Sequence, residues 1–163
     1  MFRQAAKGSL FVSSSELCQK TLRGHRDLNV YQFAYGLAMQ IFEESKSFPK
    51  DERYSLTSQI RRSSRSVAAN IAEGFRKRQY PNMFVSKLAD SDAEATETQV
   101  WLDFARDCGY LSPELHDDLV ARYEEIGRML HAMIEQPNRF VPSSQIDSKR
   151  PQAGHRKIES KAA

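Results

Sequence analysis

The chain has 163 residues, of which 40% are hydrophobic and 28% are charged. This is enough for one compact domain but too little for a large multidomain enzyme. The only two cysteines, Cys18 and Cys108, form no CxxC pair, which argues against a disulfide scaffold and a cysteine-based zinc site. No apolar stretch approaches the roughly 20 residues of a membrane-spanning helix, so we expect a cytoplasmic protein without a membrane partner.

The formal net charge of +3 is unevenly distributed along the chain. Residues 1–26 and residues 137–163 each carry +4, whereas residues 27–136 carry −5. Both ends lack sustained apolar periodicity, so we predict a flexible basic N-terminal tail (1–26), one domain (27–136) and a disordered basic C-terminal tail (137–163). The tails either add solubility only or make weak, salt-sensitive contacts with nucleic acid.

The first predicted helix starts near Leu28 and Asn29 and ends around residues 47–49, where proline blocks its continuation. Its apolar stripe consists of Val30, Phe33, Leu37 and Ile41. The second predicted helix has Asp51 as its expected N-cap and Gly74 as an early stop or kink. Its apolar stripe consists of Leu56, Ile60, Val67 and Ile71.

The third predicted helix begins around residues 79–81 and ends at Cys108 and Gly109, where glycine suits a left-handed cap. The fourth starts with Ser112 as N-cap and Pro113 in its first turn, and it should stop before Pro137. Its apolar stripe consists of Leu115, Leu119, Ile126, Leu130 and Met133. Four amphipathic helices with short connections predict an all-α, antiparallel up-down-up-down four-helix bundle.

The second helix carries a basic face opposite its apolar stripe. Between Arg53 and Arg78 there are seven basic residues and one acidic residue, Glu73. Either this is an ordinary solvated outer face, or its arginines contact phosphates, to which a guanidinium group is well suited. The candidate nucleic-acid-binding residues are Arg61, Arg62, Arg65, Arg76, Lys77 and Arg78.

A second face of the third helix is more apolar than one bundle core requires. Its bundle-facing residues are expected to be Phe84, Leu88, Ala95 and Leu102, and an adjacent face holds Met83, Glu94, Glu97, Trp101 and Phe104. Either the monomer has a wide core, or this face is a subunit interface with Trp101 and Phe104 as anchors and an acidic residue paired with an arginine of helix two. With the polar flank of the second helix, the candidate oligomer-interface residues are Gln59, Asn70, Glu94, Glu97, Trp101 and Phe104.

The sequence contains no pattern that favours an enzyme. Helical bundles with di-iron sites use Glu-x-x-His pairs, which are absent here, as are the HExxH, P-loop, GxGxxG and GxSxG motifs. The four histidines are scattered, and two of them, His25 and His155, fall in the predicted tails. We therefore expect no catalytic residue, metal site or cofactor.

The amino-acid sequences of the second and third predicted helices resemble those of a known family. Residues 54–62 read YSLTSQIRR, residues 66–74 read SVAANIAEG, residues 91–102 read SDAEATETQVWL and residues 108–111 read CGYL. These stretches, together with LNVY at 28–31 and FP at 48–49, are similar to bacterial proteins encoded in intervening sequences of 23S ribosomal RNA genes. The resemblance covers about residues 26–136. Because members usually begin near Arg26, the first 25 residues are either a natural arm or an overextended start.

The resemblance implies a four-helix bundle that assembles as a ring of five and has no known catalytic activity. A similar branch, the accessory variability determinant of diversity-generating retroelements, forms a basic pentamer that binds nucleic acid and a reverse transcriptase. The residues of the Gln-x-Arg-Arg motif, Gln59, Arg61 and Arg62, lie on or beside the basic face, and Arg62 is the first candidate for an internal salt bridge. Our leading hypothesis is a non-enzymatic, homo-oligomeric protein, a pentamer as the resemblance implies, that binds RNA or DNA through this face with help from the basic tails. The alternative is a protein–protein adaptor that docks an enzyme such as a reverse transcriptase.

Overall fold

A computed structural model describes residues 22–142, which form four long helices connected by short turns. The helices are α1 (Asn29–Glu44), α2 (Leu56–Lys77), α3 (Pro81–Asp107) and α4 (Pro113–Glu135). Shorter 3₁₀ turns occupy His25–Asp27, Ser45–Ser47, Lys50–Tyr54 and Pro137–Phe140. The predicted fold class is confirmed, since the described residues form an all-α up-down bundle. No helix within this range combines the length and the apolar character that crossing a bilayer requires.

Two predictions about the ends of α2 are wrong. Asp51 lies within the 3₁₀ turn, and the helix begins after Ser55, which takes the N-cap position. Gly74 does not stop the helix, which continues to Lys77. It is instead a site of close helix packing, because an added Cβ would lie 3.3 Å from the Cβ of Lys87 and 3.5 Å from the ring of Phe84 on α3.

The predicted connection between α3 and α4 is confirmed in detail. Gly109 adopts a φ of 75°, and its N–H donates to the carbonyl of Arg106 while the N–H of Tyr110 donates to Ala105, both at 2.8 Å. This pair of bonds is a Schellman cap, which requires the left-handed conformation that glycine adopts without strain. The hydroxyl of Ser112 then accepts the N–H of Leu115 at 3.2 Å, so Ser112 caps α4, which begins at Pro113.

The core is a single apolar cluster drawn from all four helices. Its main packing runs around the bundle, between α1 and α2, α2 and α3, α3 and α4, and α4 and α1. The predicted stripes are largely buried, with the exceptions of Phe33 and Leu115, which are only half-buried. Tyr123 of α4 is fully buried, although the sequence reading did not include it, and burial raises the pKa of its phenol.

Small hydroxyl residues join α2 to α3 inside this core. Thr98 donates to the hydroxyl of Ser63 at 2.9 Å, and Ser91 donates to the carbonyl of Val67 at 2.9 Å. All three hydroxyl side chains are fully buried. Together with Gly74, they let the two helices approach closely along most of their length, which fixes α2 relative to α3.

The described residues extend into both segments that the sequence analysis assigned to tails. Residues Pro137–Phe140, assigned to the C-terminal tail, form a 3₁₀ turn, and Phe140 packs on Phe84 with ring centroids 5.3 Å apart. At the other end, His25 packs edge-on against Tyr31 at 4.7 Å. The predicted flexibility of residues 1–21 and 143–163, including Cys18 and His155, concerns segments outside the described residues.

Candidate nucleic-acid interface

The bundle separates its charges by helix. The α2 helix holds five basic residues and one acidic residue, whereas α3 and α4 each hold two basic and six acidic residues. The α1 helix holds two acidic residues and no basic one. Positive charge in the bundle is therefore concentrated on the outer surface of α2, and a polyanion would be attracted to this surface and repelled by its neighbours.

On the side of α2 that faces α1, two arginines lie against an aromatic ring. The guanidinium carbons of Arg61 and Arg65 lie 4.9 and 5.6 Å from the ring centroid of Phe42. Arg61 also donates to the hydroxyl of Ser45 at 2.6 Å. Among the described residues, neither arginine forms an ion pair, so their charges are held in place without being neutralised.

On the side of α2 that faces α3, Arg62 is neutralised within the chain, as its predicted role in a salt bridge requires. Its Nη2 donates to Glu97 at 2.6 Å, its Nη1 lies 3.7 Å from Glu94, and its Nε donates to Gln59 at 3.2 Å. The same oxygen of Glu97 accepts the indole N–H of Trp101 at 3.1 Å. Arg62 thus fastens α2 to α3, although its side chain also borders the basic surface.

The C-terminal end of α2 contributes the other predicted cations. Arg76 is exposed and Lys77 is half-buried, and within residues 22–142 neither forms an ion pair. Arg78 lies over the ring of Phe75 at 3.8 Å and donates to the carbonyl of Phe75 at 2.7 Å, which helps to end the helix. Burial, and secondarily the charge of Arg76, lowers the pKa of Arg78.

The residues predicted for an oligomer interface lie together along the seam between α2 and α3. Gln59, Glu94 and Glu97 belong to the Arg62 network, and Asn70 accepts from Lys87 at 3.2 Å. Lys87 also pairs with Glu73 and Asp90, each at 3.1 Å, and the hydrogen bonds to these carboxylates raise its pKa. The polar residues predicted for an interface are therefore engaged inside the monomer.

The aromatic anchors of this face are only partly covered. The rings of Trp101 and Phe104 have centroids 5.7 Å apart, and Phe104 is 52% exposed. Val100, one turn earlier on α3, is also exposed. An apolar surface therefore continues outward from the seam.

A groove at the N-terminal end of α2 adds two residues that the sequence reading did not single out for binding. It has a volume of about 640 Å³, and Arg53 and Tyr54 line it together with Arg61, Arg62 and Arg65. The remaining lining residues are three hydroxyl side chains and one alanine, and no acidic residue lines it. The basic run from Arg53 onward signalled the charge, whereas the exposure of Tyr54 depends on the 3₁₀ turn before α2.

The sequence reading also missed a buried histidine between α3 and α4. His116 is almost fully buried, with its Nε2 2.8 Å from Asp103 and its Nδ1 2.9 Å from Asp117. A nitrogen of Arg106 lies 3.3 Å from the same ring. Because both ring nitrogens are engaged with carboxylates, His116 joins the two helices. Within residues 22–142, no group of three or more potential ligands is arranged to hold a metal ion.

Comparison with known proteins identifies one family. A family model described as 23S rRNA-intervening sequence protein matches residues 26–132. A crystal structure of a protein with unknown function, from the S23 ribosomal protein family of Bacteroides thetaiotaomicron VPI-5482, is similar with 26% sequence identity and a TM-score of 0.59. The similarity covers 66% of this chain and 96% of that one. No curated protein matches the chain.

Proposed function

The chain belongs to the 23S rRNA-intervening sequence protein family, and from its surface charges we propose that it is a non-enzymatic, homo-oligomeric protein that binds RNA through the basic face of α2. The observation that carries this proposal is the state of Arg61 and Arg65. Their guanidinium groups are ordered against Phe42, and no carboxylate in residues 22–142 pairs with them. Phosphate groups are the ligands that such arginines bind best.

The six predicted RNA-binding residues do not contribute equally to this proposal. Arg61, Arg65, Arg76 and Lys77 have no carboxylate partner within residues 22–142, so among these six they are the four that are available to phosphates. Arg65 and Arg76 lie eleven residues, or about three helix turns, apart on one face of α2. Arg62 and Arg78 chiefly position the helix and its end.

The dependence of RNA affinity on salt tests this proposal. On a single strand, phosphate contacts by these four residues contribute about −2.8 to the slope of log K against log salt, since each contributes about −0.7. The double variant Arg61→Glu/Arg65→Glu should lose two contacts, so its slope should be shallower by about 1.4. The matched control Arg128→Glu/Arg139→Glu makes the same change of net charge at exposed positions away from α2.

Three outcomes of this experiment would contradict the proposal. Absence of RNA binding by the wild-type chain at low salt would remove its basis. An equal effect of the two double variants would indicate attraction by net charge alone. Binding of a partner protein in the absence of RNA binding would favour the adaptor alternative, in which the same surface docks an enzyme such as a reverse transcriptase.

The proposal of a homo-oligomer rests on the aromatic surface of α3. Phe104 and Val100 are about half exposed, and Phe104 packs on Trp101, so a flat apolar patch faces outward beside the α2–α3 seam. A second copy that covered this patch would remove apolar surface from water. The resemblance to the family favours a pentamer.

Light scattering coupled to size-exclusion chromatography measures the assembly directly. We expect a mass near five chains for the wild type and a smaller assembly for Phe104→Glu, because a charge would then be buried in the interface. Met39→Glu, at another exposed apolar position on α1, is the matched control and should not change the mass. A monomeric wild-type chain at micromolar concentration would refute the oligomer.

A further inference from the structure

The groove at the start of α2 contains an aromatic ring that the bundle does not use. Tyr54 ends the 3₁₀ turn Lys50–Tyr54 and is 85% exposed, the highest exposure among the large hydrophobic residues of the described chain. Its ring lies 5.5 Å from the guanidinium carbon of Arg53. Because so little of this ring is covered, its contribution to folding by burial is small.

The surroundings of this ring are suited to an anion that has a flat apolar part. Arg53, Arg61 and Arg65 line the same groove, and no acidic side chain does. Thr57, which also lines the groove, is only 7% exposed, and its hydroxyl oxygen is buried without a hydrogen-bond partner in residues 22–142. The volume of about 640 Å³ is in the range of small-ligand sites, so the groove can take a short segment of a larger chain.

An exposed aromatic ring beside unpaired arginines suits a single strand of nucleic acid better than a duplex. In a duplex the bases are stacked on each other and only their edges are accessible, so an exposed ring on the protein finds no base face. In a single strand the bases can splay out and stack on aromatic side chains, while a basic groove follows the phosphates. Phosphate contacts alone could use the hydroxyl of Tyr54 but not the face of its ring, and this face is what an unpaired base can stack on.

We propose that this groove binds an unpaired segment of RNA, with one base stacked on Tyr54 and the adjoining phosphates held by Arg53, Arg61 and Arg65. This inference rests on the proposed RNA-binding function and specifies the form of RNA that is bound. Stacking on one aromatic side chain typically changes affinity by about 5- to 150-fold for each base. The arginines provide attraction to any strand, and the tyrosine provides the preference for unpaired bases.

The test uses the full-length protein and a short RNA of mixed sequence, offered as a single strand and as a perfectly paired duplex. Tyr54→Ala should weaken binding of the single strand by about 5- to 150-fold, leave duplex binding unchanged, and leave the salt slope unchanged because no cation is removed. Tyr54→Phe keeps the ring and should bind within about twofold of wild type. Tyr35→Ala, at an exposed tyrosine on α1 outside the groove, is the matched control.

The outcomes separate this inference from the function on which it rests. If RNA binding responds to Arg61→Glu/Arg65→Glu but not to Tyr54→Ala, or if the duplex binds as tightly as the single strand, the inference fails and the proposed function stands. If the wild-type chain binds no RNA, both fail. Tighter binding of an acidic peptide than of RNA would also overturn the inference. If Tyr54→Ala weakens binding of single-stranded DNA as much as it weakens binding of RNA, the result would support base stacking without selection for ribose. Because Tyr54 is exposed, unchanged thermal unfolding of Tyr54→Ala shows that the fold is retained.

Discussion

Replacing Glu97 by glutamine should increase the affinity for RNA. Glu97 accepts Nη2 of Arg62 at 2.6 Å, and Arg62 lines the basic groove. Glu97 is therefore the nearer of the two carboxylates that neutralise Arg62 and keep it from a phosphate. Glu97→Gln removes this charge while keeping the size of the side chain and an oxygen that can accept the indole N–H of Trp101.

The magnitude follows from one additional phosphate contact. Each contact adds about 0.7 to the steepness of the salt dependence on a single strand, so a fully available Arg62 would raise affinity at 0.1 M salt by roughly fivefold. This is the upper bound for Glu97→Gln, because Glu94 still lies 3.7 Å from Nη1 of Arg62. The cost in stability should be small. The side chains of Arg62 and Glu97 are 53% and 34% exposed, and ion pairs of this kind contribute about 0.2–1 kcal/mol.

Fluorescence anisotropy with a labelled single-stranded RNA, repeated at several salt concentrations, measures both quantities. Glu125→Gln is the matched control, because it makes the same charge change and removes the nearer of the two carboxylates beside Arg128, an exposed arginine of α4. The reasoning fails if the control raises affinity as much as Glu97→Gln does, since net charge alone would then explain the gain. It also fails if Glu97→Gln binds no more tightly than wild type and the salt slope stays the same.

Two further predictions concern the helix that carries the basic face. Gly74→Val should lower the free energy of unfolding, measured in urea, by about 1–3 kcal/mol, because the added side chain overpacks against Lys87. In the control Gly36→Val, nothing lies within 4 Å of an added Cβ, so the free energy of unfolding should change by no more than about 0.5 kcal/mol. Equal losses in the two variants would show that the α2–α3 contact is not tight. Ser55→Ala should return the pKa of Glu52 toward its ordinary value, because the hydrogen bond from Ser55 is the largest cause of its lowering. The lowered pKa of Glu52 stabilises the wild-type fold above the ordinary carboxyl range, and this stabilisation is lost as pH falls through the lowered value. Ser55→Ala should therefore lose less stability on acidification than wild type does. A Glu52 titration, followed by NMR, that is the same in the variant and in wild type would contradict this assignment.

The sequence predicts the elements whose signals are local. Gly109 and Ser112 act where the pattern places them, because a left-handed cap and an N-cap each depend on a few neighbouring residues. Gly74 was misread because its role comes from the approach of α3, which no local pattern contains. Asp51 was misread because a 3₁₀ turn separates it from the start of α2.

The candidate site was only partly predictable for the same reason. Helical periodicity places Arg61 and Arg65 on one face, but it does not show that only Arg62 has a carboxylate partner. That distinction depends on which neighbouring helix each side chain meets: Phe42 of α1 in the first case and Glu97 of α3 in the second. The exposure of Tyr54 likewise results from the turn that precedes α2, so a base-stacking residue could not be recognised from spacing alone.

The two edges of α2 therefore differ in how their charges are paired, and this difference links the two parts of the proposed function. Along α3, Arg62 and Glu97 neutralise each other in an ion pair, and the apolar patch around Phe104 continues outward from that seam. Along α1, Arg61 and Arg65 of α2 have no carboxylate partner within residues 22–142 and remain available to phosphates. Assembly through the patch on α3 would bring a partner onto the acidic side of the bundle, away from the free arginines. Each added copy would then present another basic groove, and several grooves on one particle would bind one RNA strand more tightly than a single groove could, because the later contacts form within the same complex.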